Sequence, residues 1–515
     1  MVAAAALAVL DPEVVVTMVL ASVFGLLLGA IPGLTATMGA ALLVPISFFL
    51  DPLPAIGAVI AVATSAIFAG DLPGALLRIP GTPASAAYVD DAHALTLAGR
   101  ARLGLGVGLV SAVVGGLIGV AVLTLAAPAL ARFALGFSSV EYFWLATLGL
   151  SCAVIVSEGT VLRGLASLFL GLFVACVGVD TVAGHPRFTF GSTDLMGGVS
   201  FIPALIGLFA LSEIIRNLSS GAALSDSAIP PQVRGDPRDG VVRTAGRHWF
   251  GIVRGGTGGT LIGALPGAGA DIAAWIAYAV AKKTSRAPER FGRGSTEGIA
   301  EAGAANNGAL AGAWVPALVF GIPGDTITAI AIGVLLMKGL QPGPTIFLFQ
   351  PQLMYSVFAA FLFANLLLLP LGLLAIGAAK RMLTVPQRVL LPVILLFCVV
   401  GSFAVEGSIY GVVVMGVFGV VGWLMQENDI PLAPAILGIV LGGMIEFNFV
   451  TSLLKSDGDL MVFVSRPIGA VLAVVTIIVW SAPLVALVRG RARRAASTPE
   501  LSAAGPPATP RTPTD

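Results

Sequence analysis

Gly25-Leu-Leu-Leu-Gly29-Ala-Ile-Pro32-Gly33 is answered 234 residues later by Gly259-Thr-Leu-Ile-Gly263-Ala-Leu-Pro266-Gly267, identical at six of nine positions. A second pair lies further along each copy. Pro73-Gly-Ala-Leu-Leu-Arg78-Ile-Pro80-Gly81-Thr82 reads against Pro316-Ala-Leu-Val-Phe-Gly-Ile-Pro323-Gly324-Asp325, at an offset of 243 residues. Offsets that agree within one loop insertion mark an internal duplication. The chain therefore divides into two homologous halves, 1–230 and 231–465. An extra helix at 466–489 and a tail at 490–515, expected to be disordered and cytoplasmic, complete it.

The composition around these motifs is that of a membrane protein. Of 515 residues, 57% are hydrophobic and 11% charged, and the mean hydropathy is +0.98. Soluble proteins carry about 25% charged residues. Apolar runs of roughly 20 residues, the length of a bilayer-crossing helix, recur from Val14 to Val488. Stretches such as Phe358–Leu374 do not alternate as barrel strands must. The expected fold is an all-α polytopic membrane protein of about twelve spans.

Orientation follows from the basic residues, which favour cytoplasmic loops. The first of them is Arg78, so the hairpin at Pro32-Gly33 has no cationic flank. Its counterpart at Pro266-Gly267 lies between Arg234, Arg238, Arg243, Arg247 and Arg254 on one side and Lys282, Lys283, Arg286, Arg290 and Arg293 on the other. Equivalent hairpins then face opposite sides, and the repeats are inverted. The polar stretch Leu218–Arg247 reads as a cytoplasmic linker. The N-terminal Met1–Leu10 is apolar without a basic region before it, and is expected to be retained. The apolar arm after Pro266-Gly267, Ile272–Ala281, is short for a crossing and fits a re-entrant segment or, alternatively, one arm of a tight turn between full helices.

Pro removes a backbone donor and Gly permits sharp turns, so the two Ile-Pro-Gly sites are expected to break their helices. Paired breaks in two repeats are the sequence signature of a transporter's binding site. Free N–H groups at a broken helix start suit a carboxylate, and free carbonyls suit a cation. Polar residues gather at both breaks: Asp71, Arg78, Thr82, Ser85, Asp90 and Asp91 at the first; Asn306, Asn307, Asp325, Thr326 and Thr328 at the second. Ionisable residues in membrane segments face a cavity or a partner. Pro32, Gly33, Arg78, Gly81, Thr82, Gly267 and Gly324 are the candidate substrate-binding residues; Asn306, Asn307, Asp325 and Asp271 are the candidate cation-coupling residues. Asp325 either binds the coupling cation or neutralises Arg78 across the repeat interface.

Competing chemistries leave no mark. There is no Gly-x-x-x-x-Gly-Lys-Ser/Thr, and His93, His185 and His248 are isolated, without His-Glu-x-x-His. The Gly-x-Gly-Asp of intramembrane aspartyl proteases is missing, since Ile322 precedes Pro323-Gly324-Asp325. Cys152, Cys176 and Cys398 each sit in an apolar run, as packing residues. A formal charge of +1 gives no reason to expect nucleic acid. An enzyme is not expected, nor a cofactor, nor a metal other than a transported sodium ion. A channel or scaffold without coupled transport is the competing class; a channel would leave a continuous polar stripe along several helices, which is not found.

The motifs Gly29-x-x-Pro32-Gly33-Leu34, Ile79-Pro80-Gly81-Thr82-Pro83, Gly263-x-x-Pro266-Gly267-x-Gly269, Ala304-Ala305-Asn306-Asn307, Gly321-Ile322-Pro323-Gly324 and Gly339-x-x-Pro342-Gly343-Pro344 together resemble the large permease of the tripartite tricarboxylate transporters. The resemblance runs from about Gly25 to Pro467. It implies an inner-membrane permease working with a small four-helix membrane subunit and a periplasmic solute-binding protein. It also implies import of small organic anions, citrate-like, dicarboxylate or aromatic carboxylate, on a sodium or proton gradient. The chain departs from the commonest pattern at Arg78, where Asn is usual, at Asp325, where Ser is frequent, and at Gly303, where Glu is usual. Those departures bear on the substrate.

Overall fold

The computed structural model describes residues 2–32, 34–156, 160–180, 184–219, 240–267, 269–383 and 387–496. Among them the chain is almost wholly helical, apart from one antiparallel ribbon pairing Gly178–Val179 with Pro186–Arg187. Gly33, most of the expected linker, and residues 497–515 of the tail lie outside the described residues.

A short helix α1 (Val2–Val9) precedes the first half. That half contains α2 (Pro12–Ala30), α3 (Ala36–Ser47), α4 (Pro52–Ala69), α5 (Asp71–Leu77), α6 (Val89–Leu97), α7 (Ala101–Ala134), α8 (Ser139–Val156), α9 (Val161–Ala175) and α10 (Phe201–Ser219). The second half contains α11 (Trp249–Gly263), α12 (Gly269–Thr284), α13 (Thr296–Phe320), α14 (Thr326–Met337), α15 (Pro351–Leu383), α16 (Gln387–Glu406), α17 (Ile409–Glu427) and α18 (Leu432–Lys455). The closing helix α19 (Pro467–Ala496) runs past the expected end at 489.

Local chemistry sets several of these boundaries. The Asp11 carboxylate accepts from the Glu13 N–H at 3.0 Å and Pro12 stands at the first helical position, so α2 starts there. The Ser295 hydroxyl accepts from the Gly298 N–H at 3.2 Å and opens α13. That helix ends at Gly321, whose φ of +70° only a residue without Cβ adopts freely.

The two Gly-x-x-x-Gly motifs pack alike. A Cβ added at Gly25 would lie 2.6 Å from the Val62 carbonyl oxygen, and one at Gly29 would lie 2.3 Å from that of Ala66. At the equivalent Gly259 and Gly263 the atoms met are the carbonyl oxygens of Ala305 and Ala309, at 2.3 and 2.2 Å. The backbones of α2 and α4, and of α11 and α13, thus touch through glycines, as small residues allow in membranes. Contacts between halves are reciprocal as well. Helix α7 lies on α13 while its counterpart α15 lies on α4, and α9 lies on α18 while α17 lies on α10. The most apolar window of the Pro52–Leu77 segment is 94% buried, against 33–56% for the other long apolar helices. The segment α4–α5 and its counterpart α13 form the centre.

The outer helices turn large apolar side chains outward, Leu125, Leu162, Leu374 and Val471 among them. Such a surface belongs in lipid. Seven helices among the described residues are long and apolar enough to cross a bilayer, and six further apolar helices have 10–17 described residues. About twelve crossings were expected; the difference lies in the short elements. Helix α3 has 12 residues and α12 has 16, which at 1.5 Å per residue is about 18 and 24 Å, short of the ~30 Å hydrocarbon core. The chain is a multi-pass all-α membrane protein.

The glycine contacts are testable within one helix. Gly259→Ala and Gly263→Ala place a methyl group inside 2.4 Å of a carbonyl oxygen, whereas nothing lies within 4 Å of a Cβ at Gly258. Overpacking of this kind costs about 1–3 kcal/mol. Thermal unfolding in detergent should show a lowered midpoint for the first two variants and an unchanged one for Gly258→Ala; equal effects at all three sites would refute the packing described.

Candidate substrate and ion site

The second break is built around Asp325. Its Oδ1 accepts from the Thr328 N–H and from Thr328 Oγ1, both at 2.8 Å, and its own N–H donates to Thr328 Oγ1 at 2.9 Å. This is a reciprocal cap on α14. Gly324 is buried against Ala313, where a Cβ would come within 2.8 Å of its Cα. The Gly324 carbonyl accepts from the Gly267 N–H at 2.7 Å, so the tip of the α11–α12 hairpin rests on the break. Gly267 has φ +82°, and a Cβ there would lie 2.5 Å from Ala153 of α8, so only glycine fits. Gly269, at the start of α12, faces Asp325: a Cβ on it would lie 3.4 Å from the Asp325 Cβ.

The first break is longer. Helix α5 ends at Arg78 in the left-handed conformation, φ +60°. The chain then turns through Pro80-Gly81, and the Gly81 N–H donates to the Gly70 carbonyl at 3.1 Å. A Cβ on Gly81 would meet the Gly70 Cα at 2.7 Å and the Gly29 oxygen at 3.1 Å. Thr82 is buried; its N–H donates to Ser85 Oγ and its Oγ1 accepts from the Ser85 N–H, each at 3.1 Å. Pro32, at the tip of the α2–α3 hairpin, is buried beside this region.

The two halves also touch across the breaks. The Asp271 carboxylate, in the first turn of α12, accepts from the Ala84 N–H at 3.0 Å, and Trp275 Nε1 donates to the Pro83 carbonyl at 3.1 Å. In return the Thr37 and Thr326 hydroxyls, at the starts of α3 and α14, hydrogen-bond to each other at 3.0 Å. Helix starts from both halves therefore lie together, with the donor ends of their dipoles beside the two Pro-Gly turns.

The Arg78–Asp325 pair, one of the two alternatives for Asp325, is not formed. Arg78 donates to Asp90 from Nε at 2.9 Å and from Nη2 at 2.8 Å, with the two side chains 65% and 53% exposed. Asp325 is occupied as the α14 cap. The left-handed turn at Arg78 sends its side chain toward α6, which the sequence does not reveal. Asp91, named with this group, is instead a tie between halves: it accepts from the N–H groups of Gly294 and Ser295 at 2.9 and 2.8 Å and from the Tyr278 hydroxyl at 2.7 Å.

Asn306 and Asn307 stand in the buried middle of α13. The residue that joins Asn306 to the first break is Tyr88, which sequence reasoning missed. Its hydroxyl donates to Asp71 Oδ1 at 2.7 Å, and the Asn306 side chain lies beside it. A tyrosine four residues beyond Ala84, in irregular chain after a break, was the available signal. A second missed contact is the Arg254–Glu301 pair, which ties α11 to α13 through two 2.7 Å hydrogen bonds. Among the described residues no group of three or more His, Cys, Asp or Glu side chains is placed to hold a metal ion.

The model of the tripartite tricarboxylate transporter TctA family matches residues 15–437. An uncharacterised 52.8 kDa protein from the TAR-I ttuC' 3' region of Agrobacterium vitis is 33% identical over 476 residues, covering 90% of this chain and 92% of that protein. An uncharacterised protein from the TAR-II ttuC' 3' region of the same organism is 36% identical over 212 residues, 41% of this chain and 88% of its own length. No solved structure matches. A match over most of the chain places this protein in the tripartite tricarboxylate transporter TctA family.

Proposed function

We propose that the chain is the large permease subunit of a binding-protein-dependent secondary transporter. It imports a small carboxylate across the bacterial inner membrane on a sodium or proton gradient. The observation that carries this reading is the meeting of the α3, α12 and α14 starts with the turn at Thr82–Ser85. Helix starts present free N–H groups to an anion, and broken helices from two repeats are where transporters place it. Pro32, Gly81, Thr82, Gly267 and Gly324 shape the site's walls. Arg78, exposed and paired with Asp90, gives an arriving carboxylate its first bidentate contact. A small four-helix membrane subunit and a periplasmic solute-binding protein are the proposed partners.

The test is uptake of a radiolabelled tricarboxylate or dicarboxylate by vesicles carrying the full three-component system. Accumulation should collapse with a sodium or proton ionophore and survive ATP depletion while the gradient is held. In the same assay Arg78→Ala should raise the half-saturating concentration about 10- to 150-fold, as losing a charge-assisted hydrogen bond of about 1.5–3 kcal/mol implies. Uptake that persists without any cation gradient would remove the secondary-transport reading.

We also propose that the halves are inverted in the membrane, on the strength of the lopsided basic flanks of the two Pro-Gly hairpins. A single cysteine placed between Leu218 and Arg247, or after Arg494, should react only with reagent on the cytoplasmic side, and one before Asp11 only from the periplasm. Labelling of all three from one side would contradict it.

A further inference from the structure

Helices α2 and α16 both pack near α3, and the three leave between them a groove of about 410 Å³ that opens on the lipid-facing surface. Its floor is apolar and buried, formed by Ala21, Leu42, Leu43, Ala58 and Ile394. Its rim is apolar as well: Leu20, Ile46, Val393 and Phe397 line it and are 40–64% exposed. The two hydroxyls that reach it, those of Thr17 and Ser47, come from the end where α2 begins and α3 finishes.

The groove is about one leaflet deep. Along α2 it runs from Thr17 to Phe24, about 10 Å at 1.5 Å per residue, where half of the hydrocarbon core is about 15 Å. A partner's spanning helix would need a seam along the whole core, roughly 30 Å. This groove offers about a third of that.

A fixed charge stands at one end. Phe48 lies between Ser47 and Leu50, which both line the groove, and its carbonyl accepts from Lys338 Nζ at 2.8 Å. The ammonium also sits 5.9 Å from the centroid of the Phe48 ring. Lys338 directly follows α14, and lysines at helix ends carry their charge to the headgroup level. An ammonium has three N–H donors. Among the described residues no carboxylate lies within ion-pair distance of Lys338. An acyl chain suits the apolar floor and rim, and phosphate oxygens suit the remaining donors.

We infer that this groove seats one acyl chain of a phospholipid whose phosphate is held by Lys338. On the proposed topology α2 begins at the periplasmic side, so the lipid belongs to the outer leaflet. It props α3, whose other end carries Thr37 to its contact with Thr326.

The experiment is native mass spectrometry of the full chain, stripped of lipid in detergent. It is titrated with dioleoyl phosphatidylglycerol or with dioleoylglycerol, which has the same chains and no phosphate. The wild type should bind one phosphatidylglycerol well ahead of further copies and should not retain dioleoylglycerol. Lys338→Gln should raise the lipid concentration for half occupancy about tenfold, as losing one charge-assisted hydrogen bond implies. Val393→Trp, which narrows the mouth, should raise it similarly, whereas Lys455→Gln, at the end of α18, should not. Should one of the two groove variants fail to accumulate, the other still decides. Unchanged affinity in either variant, or equal retention of dioleoylglycerol, would overturn the site. Loss of the co-expressed small membrane subunit from both variants, with lipid binding unchanged, would give the groove to that subunit and overturn the lipid seat.

Discussion

A backbone N–H or carbonyl released from its helix cannot stay unpaired in hydrocarbon, and must be met by another part of the protein. The two Pro-Gly breaks create such groups at the centre of this molecule, and the rest of the architecture answers them. The Gly81 N–H returns to Gly70, the Gly267 N–H goes to Gly324, and the α14 start is capped by its own Asp325 and Thr328. The Ala84 N–H is met from the other half, by Asp271. The first break is thus completed from the other half of the chain, which gives the two parts a physical reason to stay together.

The close approach this demands depends on small residues. Glycines at 25, 29, 259 and 263 let α2 and α11 lie on the carbonyls of the central helices. Gly115 and Gly119 of α7 do the same against Ala304 and Gly308 of α13. With the backbones this near, the middle of α13 has room for asparagines but not for bulk. It is there that Asn306 and Asn307 stand, opposite the break that carries Asp71 and Tyr88.

Much of this was legible in the sequence, because Pro and Gly act on the backbone locally and a duplication repeats its own spacing. The two breaks and the membrane class could be read directly. The span number could not, since an apolar run of 12 residues such as Ala36–Ser47 is not distinguishable from part of a crossing until its turn is placed. Arg78 was named for its position before a break, but its partner depends on the direction the chain takes afterwards, and that leads to Asp90. The Asp325-x-x-Thr328 spacing is that of a reciprocal cap, a role that the charge of Asp325 masks. The link from Asp71 through Tyr88 to Asn306 joins three elements distant in sequence, so no local pattern reports it.

The central claim is that helix starts of the two halves meet at one anion site. Its most direct test is disulfide formation between Thr37→Cys and Thr326→Cys, whose native hydroxyls lie 3.0 Å apart, in a chain with the three native cysteines replaced. Mild oxidation in membranes should cross-link the pair within one chain, and a saturating transported carboxylate should slow the reaction severalfold. A pair that never cross-links, or one that cross-links at the same rate with and without the carboxylate, would contradict the account.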